Sequence, residues 1–154
     1  MTALAANAQR SKVLHDLRLL PLPVTDGAVI YDGALVCTTA ATGLAVPASD
    51  AAGLIFQGVA HRGFDNTDGI DGVVDGLSSE RYCEVDTEGP YSFAVSGATP
   101  KPGEIAYALD DNTVSVAQGT NEIIVGHFTE PDPDGSGDWF VDVGSAPRGV
   151  VSAP

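Results

Sequence analysis

Residues 28–63 read AVIYDGALVCTTAATGLAVPASDAAGLIFQGVAHRG, and this stretch decides the fold class. Four short apolar runs, Val29-Ile30-Tyr31, Ala34-Leu35-Val36-Cys37, Leu44-Ala45-Val46 and Leu54 to Ala60, are separated by Gly, Asp, Ser and Pro. Short runs rich in β-branched residues and bounded by turn formers read as strands. Asp32-Gly33 is a hairpin-type dipeptide, because glycine accepts the positive φ that tight turns between strands require. The stretch predicts an all-β domain.

The same pattern continues downstream. Arg81 to Val85 and Tyr91 to Val95 bracket the turn Asp86-Thr87-Glu88-Gly89-Pro90, and Glu104 to Leu109 and Thr113 to Ala117 bracket Asp110-Asp111-Asn112. Asn121 to Thr129 and Asp138 to Val143 close the set around Glu130 to Gly137. His61 to Ser79 is dominated by Gly and Asp and reads as a long surface loop with at most a brief strand. The 18 Gly and 10 Pro among 154 residues suit many short strands joined by tight turns. The expected architecture is a compact β-barrel or β-sandwich of about eight to ten short antiparallel strands.

The N-terminus differs. Residues 2–18, TALAANAQRSKVLHDLR, are Ala-rich, free of Gly and Pro and weakly amphipathic, and predict an N-terminal arm that is either a short helix or a segment that orders on binding. Leu19-Leu20-Pro21-Leu22-Pro23 ends it, since each proline forces its predecessor toward extended geometry. Such a segment resembles a strand that is added to a partner's sheet edge. The expected organisation is an arm over 1–23, a β domain over 24–145 and a flexible tail over 146–154.

Charge divides along the same line. Seven basic residues face 21 acidic ones, a net of −14. Residues 1–18 hold Arg10, Lys12 and Arg18 against Asp16 for a local +2, and the remainder of the chain carries −16. An acidic body repels phosphate backbones and anionic lipid heads, so neither nucleic acid nor membrane is an expected partner. The basic arm reads either as a disordered or lightly docked terminus or as the part that grips an acidic or strand-edged partner. No apolar run approaches the roughly 20 residues of a membrane span. Residues 1–18 lack the uninterrupted apolar core of a secretory signal, so Cys37 and Cys83 are expected to be reduced and buried. A disulfide between them would require neighbouring strands.

Candidate chemistry is thin. Asp65 to Asp75 and Asp132-Pro133-Asp134-Gly135-Ser136-Gly137-Asp138 crowd carboxylates into loops, as hard cations require. The second loop matches the opening positions of an EF-hand, yet Val143 stands where the bidentate Glu belongs, so self-capping turns are the favoured reading. His15, His61 and His127 show no metal-ligand spacing with each other or with the cysteines. No Ser or Cys nucleophile stands in a recognisable motif with a base. Gly69-Ile70-Asp71-Gly72 faintly echoes the dUTP-hydrolysing family, but the phosphate-binding arm of that family is missing. No catalytic residue, metal or cofactor is expected, and the chain is not expected to be an enzyme. Phe56, Phe93 and Phe128 read as core, and Trp139 as a half-buried strand residue.

Several stretches resemble the capsid cement, or head decoration, proteins of tailed bacteriophages. They are Gly33-Ala34-Leu35-Val36, Ala45-Val46-Pro47-Ala48, Ala52 to Ala60, Gly89-Pro90-Tyr91-Ser92-Phe93, Gly103 to Tyr107, Asp110 to Val114 and Ile124-Val125-Gly126-His127. The resemblance implies a virion structural protein, made in the host cytoplasm, on the outer surface of an expanded capsid. There it would bridge neighbouring copies of the major capsid protein, commonly as a homotrimer. The capsid-facing footing is then expected in Arg10, Lys12, Arg18, Leu19, Leu20 and Leu22. The rival reading is a head-fibre or tail module for host surface glycans, with Trp139, Asp134 and Asp138 as its platform.

Overall fold

The computed structural model describes residues 3–7, 18–67 and 81–145. Those residues are all-β: twelve strands and no helix. Residues 3–7 are irregular, so the predicted helix does not include them, and its positions 8–17 lie outside the described residues. No helix among the described residues is long and apolar enough to cross a membrane.

The first lobe is a five-stranded antiparallel sheet. Its strand order is β1 (Leu19–Pro23), β7 (Tyr82–Asp86), β5 (Leu54–Arg62), β3 (Leu35–Thr39) and β4 (Ala45–Pro47). A small ladder of β2 (Val29–Ile30) with β6 (Phe64–Asp65) accompanies it. Val24, just beyond β1, makes a parallel bridge to Ala45 of β4, linking the sheet's two edges. The second lobe is a closed barrel in the order β10 (Thr113–Ser115), β8 (Gly89–Val95), β12 (Trp139–Val143), β11 (Ile124–Pro131) and β9 (Ile105–Ala108). Only the β10–β8 pair is parallel.

β3 shows why the opening stretch is nearly continuous in apolar character rather than alternating. Leu35 and Cys37 join the core shared with the barrel, among Phe56, Phe93, Phe128 and Val141. Ala34 and Val36 join a second core with Leu22, Val24, Ile30, Ala60, Cys83 and Val85. A strand buried on both faces needs an apolar residue at every position. Burial of each large side chain contributes about 1.5–3 kcal/mol, so both cores are needed to offset chain entropy.

Two expected hairpins are real: β9 pairs β10 across Asp110-Asp111-Asn112, and β11 pairs β12 across the acidic loop. Two turns behave otherwise. Asp32-Gly33 forms a β-turn, with the Ala34 N–H donating to Tyr31 O at 3.0 Å and Gly33 at φ 86°. It does not return the chain on itself, because β2 pairs β6 while β3 pairs β4 and β5. Asp86 to Pro90 likewise carries the chain from the first sheet into the barrel.

A carboxylate clasp ties the approach to β5 to the loop before β11. Asp50 accepts the Thr120 and Asn121 N–H groups, both at 2.8 Å, and the Asn121 side chain at 3.2 Å. Desolvation raises its pKa, but these three donors together outweigh that and hold it below the ordinary value. A lowered pKa stabilises the fold above the ordinary carboxylate range and ceases to do so as pH falls through it. Asp50→Ala is therefore expected to cost about 1 kcal/mol at neutral pH. Denaturant titrations should show that difference shrinking below about pH 4.

Candidate functional site

β1 lies at the edge of the first sheet, and its register with β7 explains the Leu/Pro sequence. Leu20 opposes Val85 and Leu22 opposes Cys83, while Pro21 opposes Glu84 and Pro23 opposes Tyr82. The flanking bonds, Val24 N–H to Arg81 O and Thr87 N–H to Arg18 O, both at 3.0 Å, place the even-numbered residues at the hydrogen-bonded positions. Pro21 and Pro23 then fall where the N–H would point outward, and neither has one. The edge is blunted against pairing with another strand. The strand expected to add to a partner's sheet instead completes the protein's own.

Side chains alternate with the same period. Leu20 and Leu22 point into the second core, and Leu22, only 9% exposed, is not presented at the surface. Leu19, Pro21 and Pro23 occupy the other face, opposite Asp86, Glu84 and Tyr82 respectively, with Arg62 of β5 beyond Glu84. The barrel covers this sheet face over β3 and the Phe56–Val59 part of β5. Toward β1 the face is uncovered: Leu19, 41% exposed, is the single exposed large hydrophobic residue among the described residues. Exposed Pro21 and half-buried Pro23 and Tyr82 continue the stripe.

The stripe is framed by ion pairs. Arg18 Nε lies 3.1 Å from Glu88 Oε1, and Arg62 lies 3.8 Å from Glu84. Both pairs are largely solvated and contribute little to stability. The root of β1 is held more firmly. The Arg18 N–H donates to Asp86 Oδ1 at 3.1 Å, and Arg18 O accepts from Thr87 N–H and Oγ1–H at 3.0 and 3.1 Å. Asp86 is fully buried and also accepts the Tyr91 hydroxyl from β8, joining the lobes at this point. Burial, then the Asp86 hydrogen bond and charge, raise the Tyr91 pKa.

Of the residues expected to form the footing, Arg18 and Leu19 are exposed at one end of the stripe, Leu20 is half-buried and Leu22 is core. Arg10 and Lys12 lie outside the described residues. Pro21 and Pro23 belong to the Leu/Pro segment expected at the footing, and they form its outer face by alternating with Leu20 and Leu22. Tyr82, Glu84 and Arg62 lie outside that expectation, because only the register brings them there.

Elsewhere the polar groups serve the fold. Asp132 Oδ1, Asp134 Oδ1 and Ser136 Oγ cap the N–H groups of Asp134, Ser136 and Asp138 at 3.1, 2.8 and 3.1 Å. His127 Nδ1 lies 2.8 Å from Ser145 Oγ, but that hydroxyl donates to Asp142 O at 2.6 Å and is not poised to give its proton to the ring. Cys37 and Cys83 face different cores from strands separated by β5, and both are free thiols. Burial pushes each up to about 12, which suppresses the nucleophilic thiolate. Trp139 sets its ring edge-to-face on Phe128, with centroids 6.2 Å apart, so part of the expected glycan platform is packed against the core. Among the described residues no three His, Cys, Asp or Glu side chains converge as a metal site. Comparison of the chain with protein-family models, curated proteins and solved structures finds no match.

Proposed function

We propose that this chain is a virion structural protein that binds the outer surface of a tailed-phage capsid and bridges major capsid subunits, with three copies meeting on the lattice. The observation that carries the proposal beyond sequence resemblance is the uncovered outer face of β1. An apolar stripe of Leu19, Pro21, Pro23 and Tyr82 lies on an otherwise strongly acidic molecule, with one exposed arginine at each flank. Face-on docking suits it, because the prolines deny a partner strand the donors it would need. The basic Arg10 and Lys12 add electrostatic reach to the same end of the chain. Many weak footings per particle give firm retention through avidity. The acidic remainder keeps decorated particles apart.

Leu19→Asp tests the footing. The side chain is outside both cores, so the melting temperature should stay within about 2 °C of the parent. Co-sedimentation with expanded capsids should weaken by about tenfold or more, since a charge replaces a desolvated apolar contact. Binding as tight as that of the parent would remove β1 from the interface. An arm truncation is informative only if it stops before Arg18. Removal of residues 1–17 should leave a folded domain with reduced capsid binding, whereas a cut at residue 20 also takes two residues of the β1–β7 ladder.

A further inference from the structure

The two lobes are wired alike. In chain order the first uses β1, β3, β4, β5 and β7, and the second β8, β9, β10, β11 and β12. In each, the first strand pairs antiparallel with the fifth, the fifth with the fourth, the fourth with the second and the second with the third. The third then meets the first in parallel, Ala45 with Val24 and Val114 with Val95. The Thr25 N–H donates to Ala45 O there, and the Ser96 N–H to Val114 O, both at 3.0 Å. The bulges at Gln57 and His61 of β5 recur at Val125 and Thr129 of β11. Even the close approaches match: a Cβ on Gly58 would collide with Asp86 O, and one on Gly126 with Asp142 O. Asp142 is therefore the second lobe's counterpart of Asp86. Asp86 stands opposite Leu19 and Val59, and Asp142 opposite Pro90 and His127.

The two carboxylates have different surroundings. Asp86 is fully buried and receives the Tyr91 hydroxyl from the strand that follows it. Asp142 is half-buried, and its carboxylate accepts no hydrogen bond among the described residues, since the Ser145 N–H and hydroxyl both go to its backbone oxygen. It borders a cavity of about 240 Å³, walled also by Pro90, Val143, Gly144 and Glu88. That is room for one side chain rather than for a drug-sized ligand. We propose that this cavity is a socket for a tyrosine side chain of a partner protein, whose hydroxyl donates to Asp142 as that of Tyr91 does to Asp86. Pro90, Val143 and the side-chain-free Gly144 suit the ring, and a carboxylate suits a phenol's single donor. Glu88 at the cavity wall pairs with Arg18, and Leu19 next along the chain begins the apolar stripe. One partner surface thus reaches both. That the partner is the major capsid protein rests on the capsid reading; the socket itself does not.

Titration of p-cresol, the tyrosine side chain as a free molecule, into the ¹⁵N-labelled full chain tests the socket. The amide resonances of Val143, Gly144 and Ser145 should shift and saturate in roughly the millimolar range, as suits so small a ligand. Asp142→Ala removes no hydrogen bond of the fold, so it should melt within about 2 °C of the parent. It should bind p-cresol about tenfold more weakly, the loss of one hydrogen bond to a charged acceptor. No saturable shift at those amides, or one that Asp142→Ala leaves unchanged, overturns the socket. On expanded capsids Asp142→Ala should bind severalfold more weakly than the parent, and equal binding overturns the capsid protein as the source of the tyrosine. If the parent itself does not bind capsids, the capsid reading fails, and the p-cresol titration still judges the socket.

Discussion

Asp86→Ala is expected to destabilise the domain by about 3–4 kcal/mol. Asp86 is fully buried where β1, β7 and β8 meet. Its two carboxylate oxygens receive the Arg18 N–H and the Tyr91 hydroxyl. Truncation strands the Tyr91 hydroxyl away from water and takes the acceptor from the part-buried Arg18 N–H, and an unmade buried hydrogen bond costs more than a made one contributes. Tyr91→Phe removes one donor and should cost about 1–3 kcal/mol. The double variant should then lose clearly less than the sum, because the two groups share one bond. Chemical denaturation of the four proteins measures the cycle, and strict additivity would show that the pair is not coupled. The pair also has an alkaline signature. A raised tyrosine pKa stabilises the fold below the ordinary value near 10, and that contribution fades as pH climbs beyond it. Tyr91→Phe should accordingly flatten the loss of stability above about pH 10.

Gly63→Ala is expected to cost about 3 kcal/mol or to prevent folding. A Cβ at this position would stand 1.9 Å from Ile30 O and 2.8 Å from its carbonyl carbon. Neither can step aside. Ile30 is fixed by its pairing with Phe64, and the Gly63 N–H donates to Asp32 Oδ1 at 2.7 Å. The clash is with backbone, so no rotamer change relieves it. Gly27→Ala separates space from conformation: Gly27 sits at φ 82° with nothing within 4 Å of its Cβ position. That change should cost only about 1 kcal/mol, the penalty of a left-handed alanine. Thermal melts should rank parent, Gly27→Ala and Gly63→Ala in that order, with Gly63→Ala about 10 °C below the parent. Equal melting temperatures for the two variants would mean that the chain relaxes around Gly63.

What could be read from the residues was local, and what could not was pairing. Turn chemistry at Asp110-Asp111-Asn112 and at Glu130 to Gly137 specified real hairpins, because short loops leave adjacent strands little choice of partner. Asp32-Gly33 and Asp86 to Pro90 carry the same local signature, yet each links strands of different sheets. Nothing in a turn dipeptide reports which neighbour has the better apolar face to offer. The Leu/Pro segment shows the same limit. Its extended conformation followed from Pro21 and Pro23, but whose sheet it joins depends on β7, some 60 residues downstream. The apolar stripe was half legible, since the alternation about Leu20 and Leu22 marks an outer face. Tyr82, Glu84 and Arg62 reach that face only through the β7 and β5 registers.

The central claim is that the exposed stripe seats this protein on a capsid lattice, and copy number tests it most directly. Particles purified on a density gradient from the lysate that produces this chain would be digested and quantified by mass spectrometry against the major capsid protein. A lattice-wide cement predicts a ratio on the order of one to one, as avidity over many equivalent sites requires. Absence of the chain from purified particles, or its presence in only a handful of copies each, would contradict the account.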